Sequence, residues 1–175
     1  AALHHIIVHG IKRKKICKDD QDRYDFINRQ GRVLEQTKTG CYAWVLIPNH
    51  LHLLETGTVP MTTVMRKLLT GHAIYFNRRH CRHGHLFKNR YKSILCQKDV
   101  YLLELVRYIH LNPLRAKVVD DIEKLDRFKY CGHSVLMGNM ACDWQETKYV
   151  SSYFGKSVSK GRRGYYNYIK EKIYF

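Results

Sequence analysis

Tyr42–Glu55, YAWVLIPNHLHLLE, is the most apolar run of an otherwise strongly basic chain, and its reading decides the fold. Pro48 has no N–H to give to a strand ladder, so the run is expected to be two strands, Cys41–Ile47 and His50–Glu55, meeting at a tight corner at Pro48-Asn49. Successive side chains on a strand point to opposite faces. His50 and His52 therefore share one face, and Leu51 and Leu53 the other. Two imidazoles side by side serve a core badly and a metal well. The plain alternative is two partly exposed histidines on a sheet.

Upstream, Leu3–His9 (LHHIIVH) alternates as a strand ending at Gly10, with His5, Ile7 and His9 on one face and His4, Ile6 and Val8 on the other. A basic loop, Lys12–Lys15, follows. Asp19 or Asp20 is suited to cap a helix running to about Gln36, with Tyr24, Ile27, Val33 and Leu34 inward. Downstream, Met61, Val64, Met65, Leu68, Leu69 and Tyr75/Phe76 recur at helical spacing, which predicts a helix from about Thr62 to Arg79. Leu86–Gln97 then reads as another strand. The order strand, helix, strand, strand, helix, strand is the ferredoxin-like plan of the α+β class, an antiparallel sheet with two helices on one face.

Asp99 is expected to cap a third helix, Val100 to about Asn112. Leu102, Leu105, Val106 and Ile109 form its apolar stripe, whereas Tyr101, Glu104, Tyr108 and Asn112 fall on a different face. Tyr108 is thus not needed for packing. Pro113 disfavours helix at Asn112, so the helix ends or kinks there. Beyond Val119 the pattern thins: Trp144–Phe154 and Arg163–Ile173 look helical, with Gly155–Gly164 a basic linker between them. Arg162-Arg163 with Tyr165, Tyr166 and Tyr168 reads either as a DNA-contacting tail or as a helix packing an aromatic edge on the body.

Lys+Arg number 31 against 15 Asp+Glu in 175 residues, a formal charge of +16. Such a charge calls for a polyanionic partner. Nucleic acid comes first, since 13 Tyr suit base stacking, and an acidic membrane surface second; a merely soluble basic domain is the bland reading. The six Cys are scattered with no CxxC, as expected of free thiols in a reducing compartment. No apolar run reaches membrane-spanning length and no signal peptide is evident, so a cytoplasmic location is expected. The chain starts without Met, as a trimmed chain does.

His-x-His leaves room for a third ligand and for substrate oxygens on a divalent ion. Histidine-triad hydrolases need a third His where Leu54 stands, and two-histidine phosphoesterases need two separated His-x-Thr/Ser motifs. A third arrangement pairs His-x-His with a tyrosine nucleophile on a neighbouring helix. Tyr108 is placed for that, with Asn112 four residues on along the same face. His110 is either a proton acceptor or a structural or DNA-contacting residue, and Glu55 either a solvated residue at a strand end or a support for the His pair. His80–His85 with Cys81 allows a zinc reading, without a partner cluster.

Four segments carry a resemblance: LHHIIVHG, YAWVLIPNHLHLLE, NRRHCRHGHLFKNRYKSIL and LLELVRYIHLNPLRAKVV. In order and spacing they resemble the bacterial single-tyrosine HUH transposases, above all the REP-associated tyrosine transposases, over about Leu3 to Val119. The resemblance implies a nuclease domain, residues 1–119, acting on single-stranded or hairpin DNA, with residues 120–175 a helical C-terminal extension. It implies His50 and His52 as metal ligands with Asn112 as the third, Mg or Mn as the metal, and Tyr108 as nucleophile through a 5′-phosphotyrosine. The expected DNA contacts are Arg78, Arg79, Arg82, Lys88, Arg90, Lys92, Arg107 and Arg115. His9 departs from the Arg that many relatives carry there, and the tail matches only at SSYFG and RRGYYNYIKEK. A homodimer is an admissible assembly. A non-catalytic nucleic-acid-binding protein on the same scaffold, and a metal-dependent hydrolase without a covalent step, are the competing readings.

Overall fold

The computed structural model describes residues 2–88 and 90–173, with Lys98 and Asp99 as backbone only. Alternating apolar residues build β1 (Leu3–His9), and the Pro48-Asn49 corner divides the apolar run into β2 (Gly40–Ile47) and β3 (His50–Thr56), as expected. With β4 (Lys92–Cys96) they form one antiparallel sheet in the order β2-β3-β1-β4. α1 (Asp20–Thr37) joins β1 to β2, and α2 (Met61–Arg79) joins β3 to β4. The result is the ferredoxin-like α+β arrangement.

The two sheet faces have separate cores. Phe26 and Leu34 of α1 and Val64 and Leu68 of α2 pack on Ile6, Val8, Leu51 and Leu53. On the opposite face, Leu102, Val106 and Ile109 of α3 (Lys98–His110) pack on Leu3, Val45, Ile47 and Leu54. His50 and His52 alternate in step with Leu54, so they lie on the α3 side.

Four expectations are corrected. Tyr24 is half-exposed rather than inward. It stands two residues, about 200° of helix, from the buried Phe26, so the stripe Phe26, Gln30, Val33, Leu34 turns it outward. The strand expected over Leu86–Gln97 pairs only from Lys92. Phe87 bridges Gly10 and Lys92 pairs with Ile7, which leaves five steps on one strand against three on the other, and the excess bulges out. α3 starts two residues earlier than expected, with Gln97 at its cap position; the Asp99 side chain lies outside the described residues. Its end is at His110, and Asn112 opens a separate short helix, α4 (Asn112–Arg115), where Pro113 is tolerated because first-turn N–H groups have no helical partner.

Residues beyond Val119 pack on the body through α5 (Ile122–Asp126), α6 (Gly132–Leu136), α7 (Lys148–Ser152) and α8 (Val158–Lys170). Much of the expected Gly155–Gly164 linker is helix, with Ser157 Oγ accepting from Lys160 N. Gly161 and Gly164 are there for close approach: a Cβ on either would run into Ser151 or Phe154. The segment around residues 130–146 borders the outer edge of β2. Leu46 N donates to Tyr130 O (2.8 Å), Glu146 N to Cys41 O (2.8 Å), and Trp44 Nε1 to Gln145 Oε1 (2.7 Å). An edge strand is thereby covered.

α8 is tied to α3 by a buried polar chain. Asp126 Oδ1 meets His133 Nε2 (2.7 Å), His133 Nδ1 meets the Tyr165 hydroxyl (2.8 Å), and that hydroxyl meets His110 Nδ1 (2.9 Å). A carboxylate only accepts, so His133 Nε2 carries the hydrogen, and the Tyr165 hydroxyl, which can both donate and accept, bridges His133 Nδ1 and His110 Nδ1. Burial holds the His110 pKa well below its ordinary value, and its Nε2 has no partner among the described residues. Gly132 is required beside it, since a Cβ there would lie 2.6 Å from that nitrogen.

Candidate metal and nucleophile site

The antiparallel register places His52 opposite Ile7 and His50 opposite His9, so β1 and β3 present His5, His9, His50 and His52 on the α3 side. His52 Nδ1 is 3.1 Å from His5 Nε2, and His50 Nδ1 is 2.8 Å from Asn49 Oδ1. Each contact occupies one ring nitrogen and leaves Nε2 for another partner. Burial, followed by the neighbouring imidazoles, pushes the His52 pKa down to about 3. The His50 pKa is lowered by burial and by His9, and the His5 pKa by burial and by Lys92. Neutral imidazole is the ligand form.

α3 sets Tyr108 over this cluster. Its ring centroid is 6.0 Å from that of His52 and 5.9 Å from that of His5, both edge-on, and the side chain stays partly exposed. Arg115 holds it from behind: Nη1 donates to Tyr108 O (2.6 Å), and the guanidinium lies 4.6 Å from the ring centroid. Asn112 stands beside His50, and its Oδ1 is buried without a well-formed hydrogen bond. A buried amide oxygen with no better partner than the His50 ring suits the role of a third ligand. Among the described residues no three His, Cys, Asp or Glu side chains form a metal-binding group. The donor set that fits is two imidazoles and an amide oxygen. His80–His85 offers no second site, because His80 Nε2 is bonded to Asp22 (2.8 Å).

The expected DNA contacts divide. Lys92 is close enough to His5, and Lys88 to His9, to depress those imidazoles; Arg90 is exposed on the bulge between them. Arg78, Arg79 and Arg82 sit at the end of α2, on the opposite sheet face. Arg79 Nη1 is bonded to Asp19 (2.5 Å) and Asp22 (2.6 Å), and Arg82 to Asn77 and His85 O. Arg107 donates to Tyr168 O (3.2 Å) and stacks 3.8 Å above that ring. Glu55 is neither solvated nor beside the His pair. It is buried on the α1 side, accepting from Gln30 Nε2 (3.1 Å). His5 was not expected at the site. Alternation put it on one face with His9, but only the register with β3 aims it at His52.

The family model described as "Transposase IS200 like" matches residues 2–112, a span that includes His50, His52 and Tyr108 and ends at Asn112. The chain belongs to the IS200-like transposase family. Among solved structures, this transposase is similar to one described as the REP associates tyrosine transposase bound to a REP hairpin. The two are 16% identical, with a TM-score of 0.62, over 83% of this chain and 86% of that one. The shared fold therefore runs past the family match into the C-terminal segment. A putative transposase from Deinococcus radiodurans R1 is 15% identical, with a TM-score of 0.46, over 62% of this chain and 89% of that one. No curated protein matches. No helix among the described residues is long and apolar enough to cross a membrane.

Proposed function

We propose that this IS200-like transposase cuts and rejoins single-stranded, hairpin-associated DNA through a covalent 5′-phosphotyrosine on Tyr108. The observation that carries the reading is the convergence of a partly exposed tyrosine with two half-free imidazoles and an orphan amide oxygen. His50, His52 and Asn112 would hold a divalent ion, Mg or Mn. Such an ion, when bound, neutralises charge on the scissile phosphate and orients it.

The chain's own residues do the rest. His5 and Asn49 fix the two imidazole rings. Arg115 keeps the Tyr108 ring in place and supplies positive charge beside its oxygen as that oxygen becomes a nucleophile. Tyr108 Oη attacks phosphorus, the bond to the 3′ oxygen breaks, and that oxygen leaves as a 3′-OH with the proton the phenol gave up through solvent. In the second step a 3′-OH attacks the phosphotyrosine, the tyrosyl bond breaks, and Tyr108 recovers its proton. Each phosphodiester is exchanged for another, so no nucleotide hydrolysis is needed. Lys88, Arg90, Lys92 and Arg115 border the site and hold the strand's phosphates. The relative whose description names a bound hairpin supports the choice of substrate.

The test is a labelled single-stranded hairpin incubated with protein and Mn²⁺, then run on a denaturing gel. A protein–DNA adduct is expected, and Tyr108→Phe should abolish it. Cleavage that survives in Tyr108→Phe would show a hydrolase without a covalent step; binding without cleavage under varied metals would show a non-catalytic DNA-binding protein.

A further inference from the structure

A second feature lies away from the His face. Between α1 and residues 127–142, on the outer side of β2, there is a cavity of about 420 Å³. Tyr24, Ile27, Tyr130 and Met140 give it aromatic and apolar walls, with Trp44 at the base. Trp44 belongs to the core on the α1/α2 side of the sheet, so the cavity and the His cluster are on opposite faces.

Its two tyrosines differ. Tyr130 is fixed: its hydroxyl is bonded to Asp20, Phe128 packs edge-on against its ring (5.7 Å), and Arg23 lies 5.2 Å from the ring centroid. Tyr24 is 50% exposed, 6.4 Å from Tyr130, and has no packing duty in α1. At the mouth, Arg127 and Lys129 are exposed and in no ion pair among the described residues. The nearby carboxylate Asp20 is bonded to Arg23 and to the Tyr130 hydroxyl and feels Lys129 only through space.

We propose that this cavity receives one unpaired nucleobase of the bound DNA, stacked on Tyr24, with Arg127 and Lys129 on the phosphates that flank it. The proposal rests on the single-stranded-DNA reading above. A cavity of this size is in the range that takes a ligand. Every base offers a π face to an aromatic ring, and its backbone brings the negative charge that the two mouth cations and the +16 chain attract. An apolar peptide would fill the walls but leave both cations unused. The cavity thereby adds a contact that selects strands with an unpaired base and does no chemistry.

Two fluorescein-labelled hairpins of equal charge, one with an unpaired nucleotide in the stem and a single-stranded tail, the other blunt and fully paired, serve as probes in anisotropy titrations at fixed salt. Tyr24→Ala should weaken binding of the first by roughly 5- to 150-fold and leave the second unchanged, and Tyr24→Phe should keep wild-type affinity. An Arg127→Ala/Lys129→Ala double variant, at exposed positions, should show the same selectivity with a smaller loss. Photo-crosslinking of 5-iododeoxyuridine at the unpaired position should label the peptide containing Tyr24. Equal losses on both probes, no loss with either variant, or crosslinks confined to peptides elsewhere would overturn the proposal. Wild-type protein that binds neither hairpin would overturn the DNA reading itself, whereas intact adduct formation by the wild type with hairpin affinities that do not depend on Tyr24 would overturn the cavity alone.

Discussion

Folding carries the carboxyl of Glu55 from water to full burial beside Gln30 and raises its pKa from 4.5 to about 7. Among the described residues its Oε2 and Gln30 Oε1 have no partners, as fits a carboxyl that is neutral when folded. Below about 4.5 both states hold the proton and nothing is gained or lost. Between there and about 7 the folded state keeps a proton that the unfolded state has released, so stability falls as pH rises, by on the order of 3 kcal/mol in all. Glu55→Gln should remove that slope: urea midpoints for wild type and variant should converge near pH 4 and separate toward pH 8, the variant being the more stable. At the site, His5 acts through His52. His5→Ala frees the His52 ring, and Mn²⁺ affinity by calorimetry should drop about 10- to 100-fold, with metal-free hairpin binding unchanged.

Among the elements, α3 depends on a partner that has no signal near it in the chain. Tyr165→Phe keeps the ring but deletes the hydroxyl that satisfies both His110 and His133. Two buried imidazole nitrogens then lose their partners, at a cost of about 2–4 kcal/mol, read as a lower urea midpoint at constant m-value. The sheet and its two crossing helices were legible because local rules specify them: alternation in LHHIIVH, the Pro48 corner, the i, i+3, i+4 pattern of α2. The shared face of His50 and His52 and the place of Tyr108 off the α3 stripe were legible too, from alternation and helical spacing, whereas Asn112, read as the next turn of that helix, opens α4 instead. What was not legible depends on pairing between distant segments. The β1–β3 register brings His5 to His52, the two-residue excess shortens β4, and the glycines of α8 read as a linker because the close approach to Ser151 and Phe154 that they allow is a contact between separate elements.

Across the whole molecule, the excess positive charge is not one surface. Lys88, Lys92 and Arg115 adjoin the His cluster and Arg90 is exposed between the first two, whereas Arg79 and Arg107 are engaged inside the fold. Four phosphate contacts predict a log–log salt slope of about −3 for a single strand, and Lys92→Ala should reduce its magnitude by about 0.7. Arg79→Ala should leave the slope alone and lower thermal stability, because it removes the partner of one oxygen of the buried Asp22 carboxylate and leaves only His80 and Lys18 N on the other. Affinity measured from 50 to 200 mM NaCl separates the two groups.

The buried chain from Asp126 through His133 and Tyr165 to His110 also bears on inheritance. Its first three members lie beyond Val119 and its last lies two residues from Tyr108. A crossover between related genes near residue 119 would hand a foreign tail an imidazole it was not shaped to meet. A swapped end that lacked the Tyr165 hydroxyl would leave that imidazole buried and unmatched, so body and tail are exchangeable only as a matched pair.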